Sequence, residues 1–264
     1  MPLLAVLFDL DDTLHDKSAT LQRVAGVQFN AFNLSGYGIA QVRWHEQFRG
    51  LNNQRIEKTE VFRRLATEFR LPEALEIALL KDFDENLGNH ACPYPGALEL
   101  LASLRERGMK LGIVTNGRDA FQRSKIEGMG VTKLVDSIVT SGGFGVKKPD
   151  PRIFVACLNQ LQVAPESAAF VGDDFAADME PAIALGMLPV WKNAERSNRV
   201  AFASHELTPI GQRLLSRPNP RSSRTPLAGH QAAATGTATS LTRSQALLSN
   251  SRPPSTLDSL SSEA

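Results

Sequence analysis

Apolar residues follow different periods in different parts of the chain. Leu3 to Phe8 is a short, unbroken apolar run closed by Asp9, Asp11 and Asp12, which predicts a buried strand ending in an acidic turn. Beyond Leu14 the spacing becomes helical. Segments near 17–35, 40–49, 57–70 and 72–87 carry apolar residues about one helical turn apart, such as Leu21, Val24, Val27 and Phe29, then Val61, Phe62, Leu65 and Phe69. Gly36-Tyr37-Gly38, Gly50-Leu51-Asn52-Asn53 and Leu71-Pro72 break these segments, and Pro72 suits the first position of a helix. The pattern predicts a small four-helix bundle whose Phe and Leu stripes form its own core.

Cys92-Pro93-Tyr94-Pro95-Gly96 is a rigid connector, after which helical and strand patterns alternate. Helices are predicted over 97–107, 119–127, 151–161 and 176–185, and strands over 110–114, 134–140, 168–171 and 188–191. Trp191 and Phe202 read as core residues. Short strands alternating with helices imply an α/β fold with a parallel sheet covered on both faces. In such sheets ligands bind beyond the carboxyl ends of the strands. Residues 216–264 contain no Phe, Tyr or Trp and only Asp258 and Glu263 as acids, amid Ser, Thr, Pro, Ala and Arg, so this stretch reads as a disordered tail.

A formal net charge of +1 over 264 residues gives no bulk attraction to a nucleic-acid polymer or a membrane, so a charged ligand has to be met by local residues. Cys92 and Cys157 make neither a disulfide framework nor a thiolate metal cage, which fits a reducing cytoplasm. The first apolar run is too short for a membrane span, and no basic leader precedes it.

Each predicted strand end carries a different polar group: Asp9 and Asp11, then Thr115-Asn116-Gly117, then Lys147-Lys148 after the third, and Gly172-Asp173-Asp174 with Asp178 after the fourth. Asp9 and Asp11 are two residues apart, so in an extended chain their side chains would leave one face and converge, which calls for a cation or a shared proton. Together the strand ends fit a bound dianion with a divalent metal. Thr115 donates to phosphate oxygens, Lys148 brings a compact positive charge, and Asp9 and Asp173 offer the hard oxygens that Mg2+ takes.

This series of motifs resembles the haloacid dehalogenase-like (HAD) hydrolase superfamily. Asp9-x-Asp11-x-Thr13, Thr115, Lys148 before Pro149-Asp150-Pro151, and Gly172-Asp173-(x)4-Asp178 stand in the family's order within about residues 1–212. The resemblance implies a Rossmann-like core at 1–14 and 93–215, with residues 15–92 as an inserted helical cap of the C1 type. It implies that Asp9 is a nucleophile forming an aspartyl phosphate, and that Asp11 is the general acid and then the base. The metal, Mg2+, would be held by the Asp9 side chain, the Asp11 backbone carbonyl and Asp173, with Asp174 and Asp178 as outer supports or alternative ligands. Thr115, Asn116 and Lys148 would hold the transferring group. Of the two lysines, Lys148 is chosen over Lys147 because it abuts Pro149. Thr13 would shape the turn after Asp11. One departure is Ser141-Gly142-Gly143-Phe144, where relatives often carry an acid.

The implied activity is hydrolysis of a small phosphate monoester, such as a nucleoside monophosphate or sugar phosphate. Dehalogenases of the superfamily do not keep an acid at the position of Asp11, so its presence favours phosphoryl chemistry. Phosphomutases share the scaffold, although their first motif commonly reads Asp-Gly where this chain has Asp11-Asp12. A receiver-like module is about half this length and lacks a helical insert, and a non-catalytic phosphate-binding relative would usually have lost one of the two acids. Arg49, Asn52, Asn53 and Arg55 cluster at a predicted turn of the helical segment, where they would reach a second anionic or hydroxylated group of the substrate or simply face solvent. His15, beside the first motif, would stand at the site entrance or, more commonly for a lone histidine, on the surface.

Overall fold

The apolar runs form β1 (Ala5–Phe8), β2 (Lys110–Thr115), β3 (Ser137–Thr140), β4 (Ala168–Gly172) and β5 (Leu188–Trp191) in the computed structural model, which describes residues 2–54 and 56–192. They pair in parallel in the order β3-β2-β1-β4-β5, which puts the first strand at the centre. Both faces of the sheet are apolar, as a sheet covered on each side requires. Val6 and Phe8 share one face and one hydrophobic cluster with Leu111, Ile113 and Val171, while Leu7, Val114 and Phe170 belong to the opposite cluster.

Helix α1 (Lys17–Ala31), α2 (Gln41–Asn52), α3 (Lys58–Phe69) and α4 (Glu73–Asn86) follow β1. They share a separate hydrophobic cluster built on Leu21, Trp44, Phe48, Phe62 and Phe83. Trp44 satisfies its indole N–H by donating to the Ala25 carbonyl at 3.0 Å, so the ring is buried without leaving an unpaired donor. Helix α5 (Ala97–Glu106) and the end of α6 (Asp119–Gly128) cover the face of the sheet that carries Val6. After the short α7 (Ser141–Phe144), α8 (Pro151–Leu161) and α9 (Glu180–Ala184) cover the other face. Gly112 permits the close approach of α8, because a Cβ there would lie 2.5 Å from Cys157 Sγ.

The elements differ from the sequence expectation at two places that matter. The predicted strand over 134–140 pairs only from Ser137, because Thr132–Leu134 is a 3-10 turn. The Asp136 carboxylate accepts from Leu111 N at 2.8 Å and so anchors the start of the pairing. The predicted helix over 176–185 begins instead as a wide π-type turn at Phe175–Met179 and only then becomes α9. Pro181 has no N–H to donate into the preceding turn, which favours this break. The expected tail at 216–264, the end of the expected core at 193–215, Phe202 and Arg55 lie outside the described residues. Among the described residues, no helix is long and apolar enough to cross a membrane.

Candidate active site

Asp9 leaves the carboxyl end of the central strand, with its N–H still donated to Val171 O of β4 at 2.8 Å. Lys148 Nζ lies 2.6 Å from Asp9 Oδ1 and 2.7 Å from Asp178 Oδ1, so one ammonium bridges two carboxylates. All three groups are buried, at 6%, 5% and 0% exposure for Asp9, Lys148 and Asp178. Lys147, by contrast, is exposed. Oxygen atoms of Asp9, Asp173 and Asp178 all lie within 4.8 Å of one another. Asp178, expected as an outer support or an alternative ligand, stands in this cluster with Asp9 and Asp173. The wide turn brings it against Gly172, where a Cβ would stand 2.2 Å from its Oδ2. Asp174 is the outer group: its carboxylate accepts from Ala176 N and Ala177 N at 3.1 and 3.0 Å and caps the turn.

Three carboxylates facing one ammonium leave an excess of negative charge. Burial, and then the charges of Asp9, Asp12 and Asp178, push the Asp173 carboxyl up to about 7. Burial and the Asp9 charge push Asp178 up to about 6, although Lys148 pulls the other way. Burial alone would lower the Lys148 ammonium, but Asp9 and Asp178 outweigh it and raise the group. The donor set of hard carboxylate oxygens and its charge deficit fit a divalent ion such as Mg2+. A metal needs these carboxylates deprotonated. Apparent Mg2+ affinity should therefore rise as pH increases through about 7, where Asp173 loses its proton in the metal-free protein. Calorimetric titration at pH 6 and pH 8 checks this, and equal affinities at the two values would contradict it.

Thr115 is buried at the end of β2, and its Oγ1 accepts from Gln122 Nε2 at 2.6 Å, which leaves its own hydroxyl proton to donate. Asn116, expected to touch the transferring group, uses its side chain differently. Its Oδ1 accepts from Lys148 N at 2.8 Å and its Nδ2 donates to Lys148 O at 3.0 Å, so the amide clamps the peptide that carries Lys148. Thr13 Oγ1 stands 3.5 Å from Asp173 Oδ1. Trp191, expected in the core, is 42% exposed: it donates its indole N–H to Asp173 O at 2.9 Å and stacks edge-on against Phe175.

The Asp11 carboxylate does not join the group formed by Asp9, Asp173 and Asp178, contrary to the picture of converging side chains. The chain turns sharply after Leu10, whose carbonyl accepts from Leu14 N and His15 N, and Asp12 takes the left-handed conformation at φ 59°. Asp11 is instead gripped by Lys125 Nζ at 2.6 and 2.7 Å, by His15 Nδ1 at 2.7 Å and by Gln122 Nε2 at 3.1 Å. Burial would raise this carboxyl, but Lys125 and His15 together outweigh it and hold the group well below the usual carboxylate range. His15 is buried rather than superficial, with Nε2 2.8 Å from Thr20 Oγ1. Sequence reading missed Lys125 and Gln122. The available signal was their position: two polar residues one turn apart on the buried stripe of α6, beside Ile126.

Two cavities meet at Asp11 and Asn116. One, of about 200 Å3, holds Asp9, Thr115, Lys148 and the acidic cluster. The other, of about 330 Å3, runs between α6 and the helices that follow β1. Of the described residues expected to reach the substrate from the helical segment, only Asn52 lines this second cavity, with its side chain buried. Arg49 lines a separate groove with Gln41, His45 and Glu46. Asn53 is an exposed residue at the end of α2.

A parallel Rossmann-like sheet with a carboxylate and lysine cluster beyond its central strand defines the class: an α/β enzyme with an acidic, metal-suited site. The chain belongs to the haloacid dehalogenase-like hydrolase family, whose model matches residues 3–186. It is 31% identical over 194 residues to a glyceraldehyde 3-phosphate phosphatase of Methanopyrus kandleri, covering 70% of this chain and 82% of that protein. It is 42% identical over 98 residues to a phosphoserine phosphatase of Thermus thermophilus, covering 37% of this chain and 39% of that protein. Its fold is similar to that of a HAD phosphatase from Thermococcus onnurineus, with a TM-score of 0.51, 26% identity, and coverage of 82% of this chain and 100% of that one.

Proposed function

We propose that the protein is a Mg2+-dependent phosphatase of small phosphorylated metabolites that works through an aspartyl phosphate on Asp9. The observation that carries this reading is the buried Asp9–Lys148–Asp178 bridge beside Asp173 and Thr115, beyond the central strand. The relatives whose names specify glyceraldehyde 3-phosphate and phosphoserine support a small phosphate ester as the substrate.

In this reading Asp9, Asp173 and the Asp11 backbone carbonyl would hold the metal, with the Asp178 carboxylate within reach of the same ion. Bound Mg2+ supplies charge neutralisation at the phosphoryl oxygens. Thr115 and Lys148 hold the phosphoryl group against Asp9, whose carboxylate oxygen forms the new bond to phosphorus as the ester oxygen leaves. The leaving oxygen takes a proton from Asp11. Water then attacks phosphorus and gives its proton to Asp11, which frees Asp9 and inorganic phosphate. The Lys125 pair keeps Asp11 ionised, the form suited to the second step, so the first step requires that pair to open. Residues 15–92 act as the cap over a core of which 2–14 and 93–192 are described, and the protein works in the cytoplasm.

Chelation should abolish turnover and added Mg2+ should restore it. Asp173→Asn should raise the Mg2+ concentration for half-maximal activity by at least about 10-fold. An enzyme indifferent to chelator would end the metal-dependent reading.

A further inference from the structure

The larger cavity has an unbalanced charge. Lys17, Lys58 and Lys125 line it, and Asp11, already gripped by Lys125, is the sole carboxylate among its described lining residues. Arg118 at its rim is paired with Asp84 at 2.6 Å. Among the described residues, neither Lys17 nor Lys58 forms a salt bridge with a carboxylate, although the Lys17 charge acts on Asp12 and those of Asp11 and Asp84 act on Lys58.

Lys58 is nevertheless held in place. It opens α3, and its ammonium donates to Asn52 Oδ1 at 2.7 Å and lies 5.3 Å from the centre of the Phe83 ring. Asn52 in turn donates Nδ2 to Phe48 O at 3.0 Å, which fixes the orientation of its amide. A half-buried ammonium held by the buried Asn52 amide thus lines a cavity that meets the phosphoryl site at Asp11 and Asn116. Leu21, Phe83 and Phe121 form an apolar wall beside it, suited to a short carbon skeleton.

We propose that this cavity recognises a second anionic group, a carboxylate or a phosphate, on the phosphorylated substrate, with Lys58 as its principal contact and Lys17 beside it. The identity of the first group rests on the phosphatase reading above. Burial, and then the charges of Lys17 and Lys125, bring the Lys58 ammonium down to about 8, against an opposing pull from Asp11 and Asp84. An incoming anion relieves that repulsion and pairs with a group already oriented to meet it.

The test measures calorimetric binding to the full-length Asp9→Asn protein with Mg2+, so that binding is read apart from turnover. The probes are 3-phosphoglycerate, glycerol 3-phosphate, which has a hydroxymethyl group in place of the carboxylate, and glycerol 1,3-bisphosphate. At least one of the two bis-anionic probes should bind roughly 10-fold or more tightly than glycerol 3-phosphate. Whichever of them does so names the second group. Adding Lys58→Gln, which keeps a donor for Asn52, should remove that preference while leaving glycerol 3-phosphate within about 2-fold. Lys58→Arg should keep it. Equal binding of all three probes, an unchanged preference in Lys58→Gln, or no binding of any probe would overturn the proposal. Selective binding without phosphate release by the wild-type enzyme would uphold this subsite and overturn the phosphatase reading.

Discussion

Asp9→Asn is expected to lower phosphate release by about 10^4-fold or more while leaving the protein folded. The amide has the shape of the carboxylate but cannot form the covalent intermediate. The fold should survive because Lys148 keeps its second partner, Asp178, at 2.7 Å. Asp9 is also one of the charges that raise Asp173 and Asp178. Removing it relieves repulsion among buried acids, so thermal unfolding of the metal-free variant should occur no lower than in wild type. Mass spectrometry of rapidly quenched reactions should find phosphorylated wild-type protein and none in the variant. A variant that retained a tenth of wild-type turnover would rule out Asp9 as the nucleophile.

Lys148→Met should damage both activity and stability. It removes the ammonium that bridges two buried carboxylates and leaves Asp9, Asp173 and Asp178 facing one another. Breaking a buried pair in this way costs about 3–5 kcal/mol. The loss of charge at the transferring group should lower kcat by roughly 10^2- to 10^3-fold. The stability deficit should widen as pH rises above about 6, because Asp178 then ionises against Lys148 in wild type, while in the variant it stays protonated to higher pH and gains no such pair. Mg2+ should recover part of it by neutralising the same carboxylates. Lys147→Met, at the exposed neighbour, should change neither quantity appreciably, and denaturant melts with steady-state kinetics on the two variants check both statements.

The strand ends were legible in the sequence because each apolar run stops at a polar residue of distinct chemistry. A parallel sheet then brings Asp9, Thr115 and Asp173 to one edge, with Lys148 beyond it. Asp178 was less legible because its place depends on the wide turn at Phe175–Met179 and on the absence of a side chain at Gly172. A regular helix would have given its carboxylate a different direction. The Asp11–Lys125 pair joins residues 114 positions apart, and no local pattern announces such a contact. A lysine on the buried face of α6 was the clue, and it becomes meaningful only once a carboxylate is found opposite. The same holds in the helical segment, where Asn52 was singled out but Lys58 was not. Lys58 looks like an ordinary exposed start of a helix until Asn52 and Phe83 are found around its ammonium.

Release of inorganic phosphate tests the central claim most directly. Purified protein should be incubated with 3-phosphoglycerate, glycerol 3-phosphate, phosphoserine, glyceraldehyde 3-phosphate and a nucleoside monophosphate, first with Mg2+ and then with excess chelator. The account predicts steady release from one or a few of these esters, lost in chelator and regained with Mg2+. No release from any of them by folded, Mg2+-loaded protein, or release unaffected by chelator, would contradict it.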